Sequence, residues 1–173
     1  RCSTCKCKVI SGDTVPLVDE IGLSQKEKDS GWILTCARSA TGNLEIEIDD
    51  LGDVILPKPN IHPCRINSID KMSKNVIRVV LRLPPASRFK AQSGQYIDII
   101  GPNGVRRSYS VANNVTDNTV ELHIGQVENG CLSSYWFEKA KLNDLLRLNG
   151  PLGTFFLRSI KAQDVIFLAT GTG

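Results

Sequence analysis

The stretch VIRVVLRL, residues 76–83, alternates apolar and charged side chains with the period of a half-buried β-strand. Its apolar residues share one face, and its two arginines lie on the other: Ile77, Val79, Leu81 and Leu83 against Arg78 and Arg82. The runs YIDII, RRSYSVA and VELHI follow, separated by clusters of Gly, Asn, Pro and Asp. Short strands at this spacing predict an antiparallel barrel or sandwich over residues 64–160.

The rest of the chain divides around this zone. Residues 1–55 form a first domain, and the prolines at positions 57, 59 and 63 predict a stiff linker over 56–63. At the other end, DVIFLATGTG reads as an apolar strand running into a glycine-rich turn, which normally introduces a helix whose N-terminal amides face an anion. We expect residues 161–173 to begin another domain, and the chain to be a piece of a longer protein, truncated at both ends.

Composition excludes several functions. The 173 residues carry a net charge of +3 with scattered Lys and Arg, so no basic stripe indicates a nucleic-acid partner. No apolar run approaches the about 18 residues of a membrane span. Three of the six cysteines crowd into the first seven residues, too close to staple distant segments, which favours a reducing cytoplasm over a secreted disulfide framework.

Three local patterns predict individual elements. Ser24 with Glu27 three residues later predicts a capping box at the start of a short helix. LEIEIDDL, residues 44–51, predicts a half-buried strand with an acidic outer face, which is either solvated or part of a docking face. SSYWFEKA predicts a helix within the barrel zone, with Ser133 as its N-cap.

The N-terminal cysteines allow two metal sites. Plant-type [2Fe–2S] ferredoxins use C-x4-C-x2-C with a distant fourth cysteine. On that pattern Cys2, Cys5 and Cys36 are three of the four ligands, and the remaining ligand, which comes first in sequence, lies five residues before Cys2. Cys7 is then not a ligand. The alternative is a zinc site made by Cys2, Cys5, Cys7 and Cys36. Zinc ribbons normally contain two C-x2-C pairs, and the chain shows no second pair, so the cysteines favour iron–sulfur.

The strand RRSYSVA, residues 106–112, has the residue types that bind a flavin. Arg can pair with a phosphate, Tyr offers a flat face to a planar ring, and Ser110 could reach the ring's N5 edge. A surface strand with a cross-strand Tyr remains the other interpretation of these residues alone. NGCLSSYW places Gly130 and Ser133 at a helix start, where amides can take a pyrophosphate.

Taken in order, GQY, RxYS, GxxS, GPxG and a strand ending in a GTG turn resemble the ferredoxin–NADP reductase family. The N-terminal cysteine pattern resembles a plant-type ferredoxin fused ahead of it, as in electron-transfer reductases that serve oxygenases and deoxysugar dehydratases. CSTCKCKVISG, GWILTC, HPCRINSI and LRLNGPLGTFF favour the deoxysugar group. The resemblance implies a mainly β chain: a partial β-grasp ferredoxin, a six-stranded antiparallel Greek-key FAD-binding barrel, and the first strand of an α/β nucleotide-binding domain.

The resemblance also implies roles for individual residues. Arg107 would bind an FAD phosphate, Tyr109 would stack on the isoalloxazine, and Ser110 would approach N5. Further FAD contacts would fall on the same strand at Ser108, Val111 and Ala112, and on the VELHI strand at His123 and Ile124. At the helix start they would be Gly130, Cys131, Leu132 and Ser133. Gly171, Thr172 and Gly173 would open the NAD(P)H site. From the residues alone, His123 and His62 read as structural histidines.

One departure from the family pattern stands out. A basic residue often follows the HI dipeptide of the VELHI-like strand in this family, but here Gly125 and Gln126 follow it. One positive contact to the cofactor phosphates is therefore missing, and Arg106 or Arg107 could compensate.

The implied function is an oxidoreductase that passes electrons from NADH or NADPH through FAD and a [2Fe–2S] cluster to an acceptor protein. That acceptor is a pyridoxamine-phosphate-dependent deoxysugar dehydrase, or an oxygenase if the chain is a dioxygenase or monooxygenase reductase. Flavin and cluster supply the chemistry, so no catalytic side chain is expected. A rival of another class is a zinc-bearing β-barrel interaction module without a redox role.

Overall fold

Antiparallel strands make up most of the regular structure in the computed structural model, which describes residues 5–48, 51, 54–156, 164, 166 and 168. Contacts between residues divide the chain into two units, residues 1–55 and 56–173. Each unit has its own buried cluster of apolar side chains.

The first unit contains two small sheets and one short helix. Its elements in chain order are β1 Lys6–Ser11, β2 Thr14–Pro16, α1 Gln25–Asp29, β3 Trp32–Leu34, β4 Arg38–Ala40 and β5 Glu45–Glu47. Strand β1 lies between β3 and β5, while β2 pairs with β4. Leu23, Leu34 and Ala37 form its buried cluster, with Cys5 and Trp32 packed against it.

One local prediction for this unit is confirmed, and a second is confirmed in part. Helix α1 begins with the predicted capping box: the Glu27 amide donates to the Ser24 hydroxyl, and the Glu27 carboxylate accepts from the Ser24 amide at 2.8 Å. In β5 the side chain of Ile46 is half-buried and those of Glu45 and Glu47 are exposed, as the alternation predicts. The strand ends at Glu47, however, and Ile48, which the same alternation places on the buried face, is 56% exposed.

The second unit is built on one six-stranded antiparallel sheet. Its elements are β6 Asn60–Ser73, β7 Val76–Arg82, β8 Tyr96–Ile100, β9 Arg106–Ser110, β10 Thr119–Gly125, α2 Cys131–Ser134 and β11 Leu145–Leu152. The strand order is β10-β7-β6-β11-β8-β9. Because β11 returns to lie between β6 and β8, the connections have Greek-key character.

The two edges of this sheet meet and close a barrel. Directly after β9, the amide of Ala112 donates to the carbonyl of Glu121 on β10 at 2.8 Å. The side chain of Asn113 accepts from the Glu121 amide, also at 2.8 Å. The predicted six-stranded antiparallel barrel is therefore confirmed.

Alternation along the strands fills the barrel. Ile77, Val79 and Leu81 of β7 are buried, and Arg78 and Arg82 face outward, as predicted. The side chains of Leu132 and Trp136 join the same core cluster from the segment that contains α2.

The predicted linker over 56–63 is too long. Strand β6 begins at Asn60, and residues 60–64 pair with β11 alone, because pairing with β7 starts only at Arg65. A proline lacks an amide hydrogen, and Pro63 is accommodated where one side of the strand has no partner strand.

The predicted N-cap of the barrel-zone helix is also wrong. Gly130 takes the N-cap position of α2, so Ser133 lies inside the helix. Its buried hydroxyl accepts a hydrogen bond from the Val127 amide at 2.8 Å instead. A five-residue π-helical turn, Tyr135–Lys139, continues α2.

Residues 161–173, predicted to begin a nucleotide-binding domain, lie outside the described residues except for 164, 166 and 168. Within the part of the chain that the structure describes, no helix is long and apolar enough to cross a membrane.

Candidate functional site

An open groove of about 870 Å³ runs along the ends of β9 and β10. Its walls come from three places: the end of β9 with the residues after it, the end of β10 with the residues after it, and the facing pair Gly94 and Phe155. The lining residues are Gly94, Ser108, Tyr109, Ser110, Val111, Ala112, His123, Ile124, Gly125, Gln126, Val127 and Phe155. The consecutive strands RRSYSVA and VELHI, which lie at opposite edges of the six-stranded sheet, thus meet in one groove.

Tyr109 is fixed in the wall of this groove. The indole N–H of Trp136 donates to its hydroxyl at 3.0 Å, and the two rings pack edge to face with centroids 6.2 Å apart. Burial raises the pKa of the Tyr109 phenol, so it stays neutral at physiological pH. Both ends of the ring are held in place, as a stacking platform for a planar ligand requires.

Ser108 and Arg107, which flank Tyr109, already have protein partners. The Ser108 hydroxyl donates to Asp98 at 2.6 Å. Arg107 is not among the groove-lining residues, and its guanidinium donates to the carbonyl of Arg106 at 2.7 Å. A phosphate contact by Arg107 would therefore require its side chain to turn from that carbonyl.

The residues of α2 predicted to cradle a pyrophosphate adjoin the groove without lining it. Leu132 is buried in the barrel core and Cys131 is exposed. Ser133 is tied to the groove through its hydrogen bond with the amide of Val127, which is a lining residue. At Gly130 an added Cβ would meet Val127 at 3.2–3.3 Å, so this segment packs closely against the groove wall.

Gln95 is a supporting residue that sequence reasoning missed, although the GQY triplet contains it. Its side chain is almost fully buried, at 1% exposure. The amide nitrogen donates to the Gly153 carbonyl and the amide oxygen accepts from the Gln92 backbone, both at 2.9 Å. Its own carbonyl accepts from the Val111 amide at 3.1 Å. The signal that could have identified it is a buried Gln between two loops, because the amide oxygen and the amide nitrogen of such a side chain must both find hydrogen-bond partners.

Two glycines bring Phe155 to the mouth of the groove. Gly94 has φ +101° and a Cβ there would overlap the Phe155 carbonyl, while a Cβ on Gly153, φ +85°, would meet the Tyr96 ring at 2.8 Å. The Phe155 side chain is 89% exposed. The chain thus presents a large, exposed apolar ring at the groove.

The groove suits FAD by its shape and chemistry. Its volume lies within the usual range of about 300–1,000 Å³ for ligand sites. Its walls combine the flat face of Tyr109, the exposed ring of Phe155 and small residues such as Ser110 and Ala112, and its lining residues include no carboxylate. A planar ring with an anionic tail can therefore enter without like-charge repulsion.

A separate cavity of about 380 Å³ is lined by Arg65, Arg82, Asp117 and a group of prolines, Pro63, Pro84 and Pro85. It contains none of the residues predicted to bind a cofactor. His62 likewise serves packing, since its ring lies edge to face with Phe89 at 5.4 Å between centroids.

In the first unit, the structure brings two of the three predicted cluster ligands together. The Sγ atoms of Cys5 and Cys36 lie 3.2 Å apart. Hydrogen bonds from the backbone and thiol of Cys36 lower the pKa of the Cys5 thiol, which favours the thiolate that binds metals. Cys2 lies outside the described residues.

Cys7 differs from these two cysteines. It is fully buried on β1 opposite Ile33, and burial raises the pKa of its thiol. This suits a small apolar core residue better than a zinc ligand. Among residues 5–48, 51 and 54–156 no group of three or more His, Cys, Asp or Glu side chains is placed to hold a metal ion.

A closed six-stranded Greek-key barrel with this groove between two of its strands defines a flavin-binding barrel of the reductase type. The chain belongs to the family of FAD-binding domains of oxidoreductases, since the family model "Oxidoreductase FAD-binding domain" matches residues 63–157. The resemblance to ferredoxin–NADP reductases is thereby confirmed.

Three similar proteins illustrate the relationship. The reductase of CDP-6-deoxy-L-threo-D-glycero-4-hexulose-3-dehydrase from Yersinia pestis is 38% identical over 173 aligned positions, and the match covers 99% of this chain and 52% of that protein. The reductase component of the naphthalene 1,2-dioxygenase system from Pseudomonas putida is 30% identical, over 100% of this chain and 52% of its own length. The crystal structure of the Amycolatopsis cytochrome P450 reductase GcoB superposes with a TM-score of 0.65 at 31% identity, covering 91% of this chain and 48% of that one. The chain spans about half the length of the curated relatives it matches.

Proposed function

We propose that this chain is the flavin-binding and cluster-binding part of an electron-transfer reductase. It would take electrons from NADH or NADPH through FAD and a [2Fe–2S] cluster to an acceptor protein. The observation that carries the proposal is the groove built around Tyr109 within the segment that matches the FAD-binding family.

The chain's own residues would bind and orient the cofactor. The Tyr109 ring would lie against the isoalloxazine, with Ser110 toward its N5 edge and the backbone of Val111 and Ala112 beside it. Gly130, Cys131, Leu132 and Ser133 would cradle the pyrophosphate, and Arg107 would add a charge-assisted contact after leaving the Arg106 carbonyl. Gly171, Thr172 and Gly173 would open the nicotinamide site.

Bound flavin supplies the exchange between two-electron hydride chemistry and one-electron transfer. The protein's part is to hold the ring flat, exclude water from its edges and set its potential. No acid or base side chain is required, and the groove lining contains no carboxylate.

The cluster ligands we propose are Cys2, Cys5 and Cys36, with a fourth cysteine five residues before Cys2. The 3.2 Å separation of the Cys5 and Cys36 sulfurs supports a shared metal centre. The deeply buried Cys7 would remain a core residue. Membership of the FAD-binding family argues against a zinc module without a redox role.

The acceptor we propose is a pyridoxamine-phosphate-dependent deoxysugar 3-dehydrase. The similarity to the Yersinia pestis reductase, at 38% identity, supports it. The second candidate acceptor is the oxygenase component of a dioxygenase or monooxygenase, which the 30% identity to the naphthalene dioxygenase reductase component supports. Co-purification of the full-length protein with a dehydrase or with an oxygenase would discriminate between them.

Titration with FAD tests the flavin site directly. We expect the chain to quench FAD fluorescence on binding and to develop resolved flavin bands. Tyr109→Ala should weaken binding at least about tenfold, or about 1.4 kcal/mol, because the stacking face is lost. Tyr109→Phe keeps that face and loses only the hydrogen bond from Trp136, so it is the matched control, with a loss of about threefold. Wild-type protein that binds no FAD would contradict the proposal.

A further inference from the structure

Four ionisable side chains form a row across the outside of the barrel and end at the groove. Cross-strand register places Asp70 of β6 opposite Arg78 of β7, and Arg78 opposite His123 of β10. Glu121 lies two residues before His123 on the same face of β10. His123 is the member of the row that lines the groove.

Short contacts connect the row from end to end. The Asp70 carboxylate lies 3.3 Å from the Arg78 guanidinium, which also binds Glu121 Oε2 at 2.6 Å. The other oxygen of Glu121, Oε1, lies 3.0 Å from His123 Nε2. Each oxygen of the Glu121 carboxylate thus has one partner, and Arg78 fixes the carboxylate that holds the imidazole.

This arrangement determines which edge of the His123 ring a ligand can use. A carboxylate only accepts, so His123 Nε2 carries the hydrogen, and Nδ1 is the ring nitrogen left for a ligand. Among the described residues no other hydrogen bond to this ring is formed. Histidines that bind metals are commonly fixed in the same way, by a carboxylate that accepts from one ring nitrogen and orients the other.

His123 differs from the other side chains of the groove in the charge that it can carry. Of the side chains that line it, His123 is the one that can carry a positive charge. Strand β10 ends at Gly125 and is followed by Gln126, neither of which is charged, and Arg107 is bound to a backbone carbonyl. A diphosphate entering the groove therefore meets a single titratable cation.

We infer that Glu121 is a positioning residue for the flavin diphosphate, acting by holding the His123 imidazole so that its Nδ1 can donate to a phosphate oxygen when the ring is protonated. Arg78 supports Glu121 in this role. The inference rests on the proposed function, since it takes the flavin as the occupant of the groove.

The charges around His123 determine the sign of the pH effect. The negative charge of Glu121 favours the imidazolium form of His123. The positive charge of Arg78, which faces His123 from β7, disfavours it. Asp70 on β6 partly neutralises the charge of Arg78. Tyr109, the other titratable lining residue, stays neutral. The hydrogen bond from Arg78 holds the pKa of Glu121 below its usual value, so the carboxylate remains charged. A charged His123 should therefore bind the diphosphate more tightly than a neutral one, and FAD affinity should rise as the pH falls.

Measuring FAD affinity by fluorescence quenching between pH 5.5 and 8.5 tests this role. For the wild type we expect about tenfold tighter binding at the acid end than at the alkaline end, with a single midpoint between them. Glu121→Gln keeps an acceptor but removes the charge, and should move the midpoint to lower pH. His123→Gln should give a flat profile at the weaker, high-pH affinity.

Glu138→Gln is the matched control, because Glu138 is exposed on the π-helical turn and is not a groove residue. Nitrogen-15 spectra of the ring, taken without FAD, should show the Nε2–H tautomer in the wild type and a mixture of tautomers in Glu121→Gln. Identical midpoints for wild type and Glu121→Gln would overturn the positioning role while leaving the FAD site intact. No FAD binding by the wild type would instead contradict the proposed function itself.

Discussion

The indole N–H of Trp136 donates a 3.0 Å hydrogen bond to the hydroxyl of Tyr109 and so connects the helical segment to the groove wall. Trp136 is buried in the barrel core, whereas Tyr109 faces both the core and the groove. The packing of Trp136 in the core therefore restrains Tyr109, the side chain that we propose to stack on the flavin.

This bond predicts coupling between the two residues. Trp136→Phe removes the donor and should weaken FAD binding about three- to tenfold, because the Tyr109 ring loses its anchor. A double-mutant cycle with Tyr109→Phe should give a coupling free energy of about 0.5–1.5 kcal/mol. Additive effects on the FAD dissociation constant would show that the hydrogen bond does not orient the ring.

Gln95 should stabilise the second unit through its buried amide. Gln95→Leu leaves the Gly153 carbonyl and the Gln92 amide without their partner, and should lower the free energy of unfolding by about 1–3 kcal/mol. Urea unfolding followed by Trp136 fluorescence, in a Trp32→Phe background, measures this change. The side chain of Gln92 is exposed, so Gln92→Ala serves as the control, and an equal loss in both variants would refute a specific role for Gln95.

Much of the barrel could be predicted from the sequence because alternation is a local signal. The strands around Ile77, Ile97 and Leu122 follow a period of two, and burial on one face fixes their register. The start of β6 could not be predicted this way. The Pro63 segment reads as a linker until β11, more than eighty residues later, is known to pair with it.

The site was predictable in its residue types and less so in its arrangement. RRSYSVA and VELHI point to the strands that form the groove, and Tyr109 and His123 both line it. Side-chain partners depend on residues remote in sequence, so the sequence indicates neither the bond of Trp136 to Tyr109 nor that of Gln95 to Gly153. The position of Ser133 inside α2 depends on Gly130 beginning the helix first, a choice between two candidates three residues apart.

Gly153 should tolerate no side chain. Its φ of +85° disfavours any L residue, and an added Cβ would meet two ring carbons of Tyr96 at 2.8 Å. We expect Gly153→Ala to cost at least about 1 kcal/mol of unfolding free energy and to weaken FAD binding, because Phe155 follows at the groove. Gly42→Ala is the comparison, since a Cβ there meets nothing within 4 Å; thermal shifts that match between the two variants would argue against this strain.

The first unit should lose stability in acid through Glu20. This carboxylate is 5% exposed and accepts from the Leu34 amide and from Arg38, both at 2.9 Å. Burial alone would raise the pKa of Glu20, but those two hydrogen bonds outweigh it and lower the pKa below the ordinary value. A lowered pKa in the folded state stabilises the unit at pH values above the unfolded pKa of about 4.3. That stabilisation disappears as the pH falls through the lower, folded pKa.

Glu20→Gln should therefore lower the free energy of unfolding of the first unit by about 1–3 kcal/mol at pH 7 and flatten its decline between pH 5 and the acid limit. Trp32 fluorescence in a Trp136→Phe background reports on this unit alone, because the chain has only these two tryptophans. Glu45→Gln is the matched control: its carboxylate is exposed on β5 and accepts only from the Ser11 hydroxyl among the described residues, at 3.1 Å. Because an exposed contact of this kind contributes little, we expect the control to follow the wild-type acid profile. An unchanged profile in Glu20→Gln would mean that the Leu34 amide and Arg38 are satisfied as well by a neutral acceptor, and that the acid sensitivity of this unit arises elsewhere.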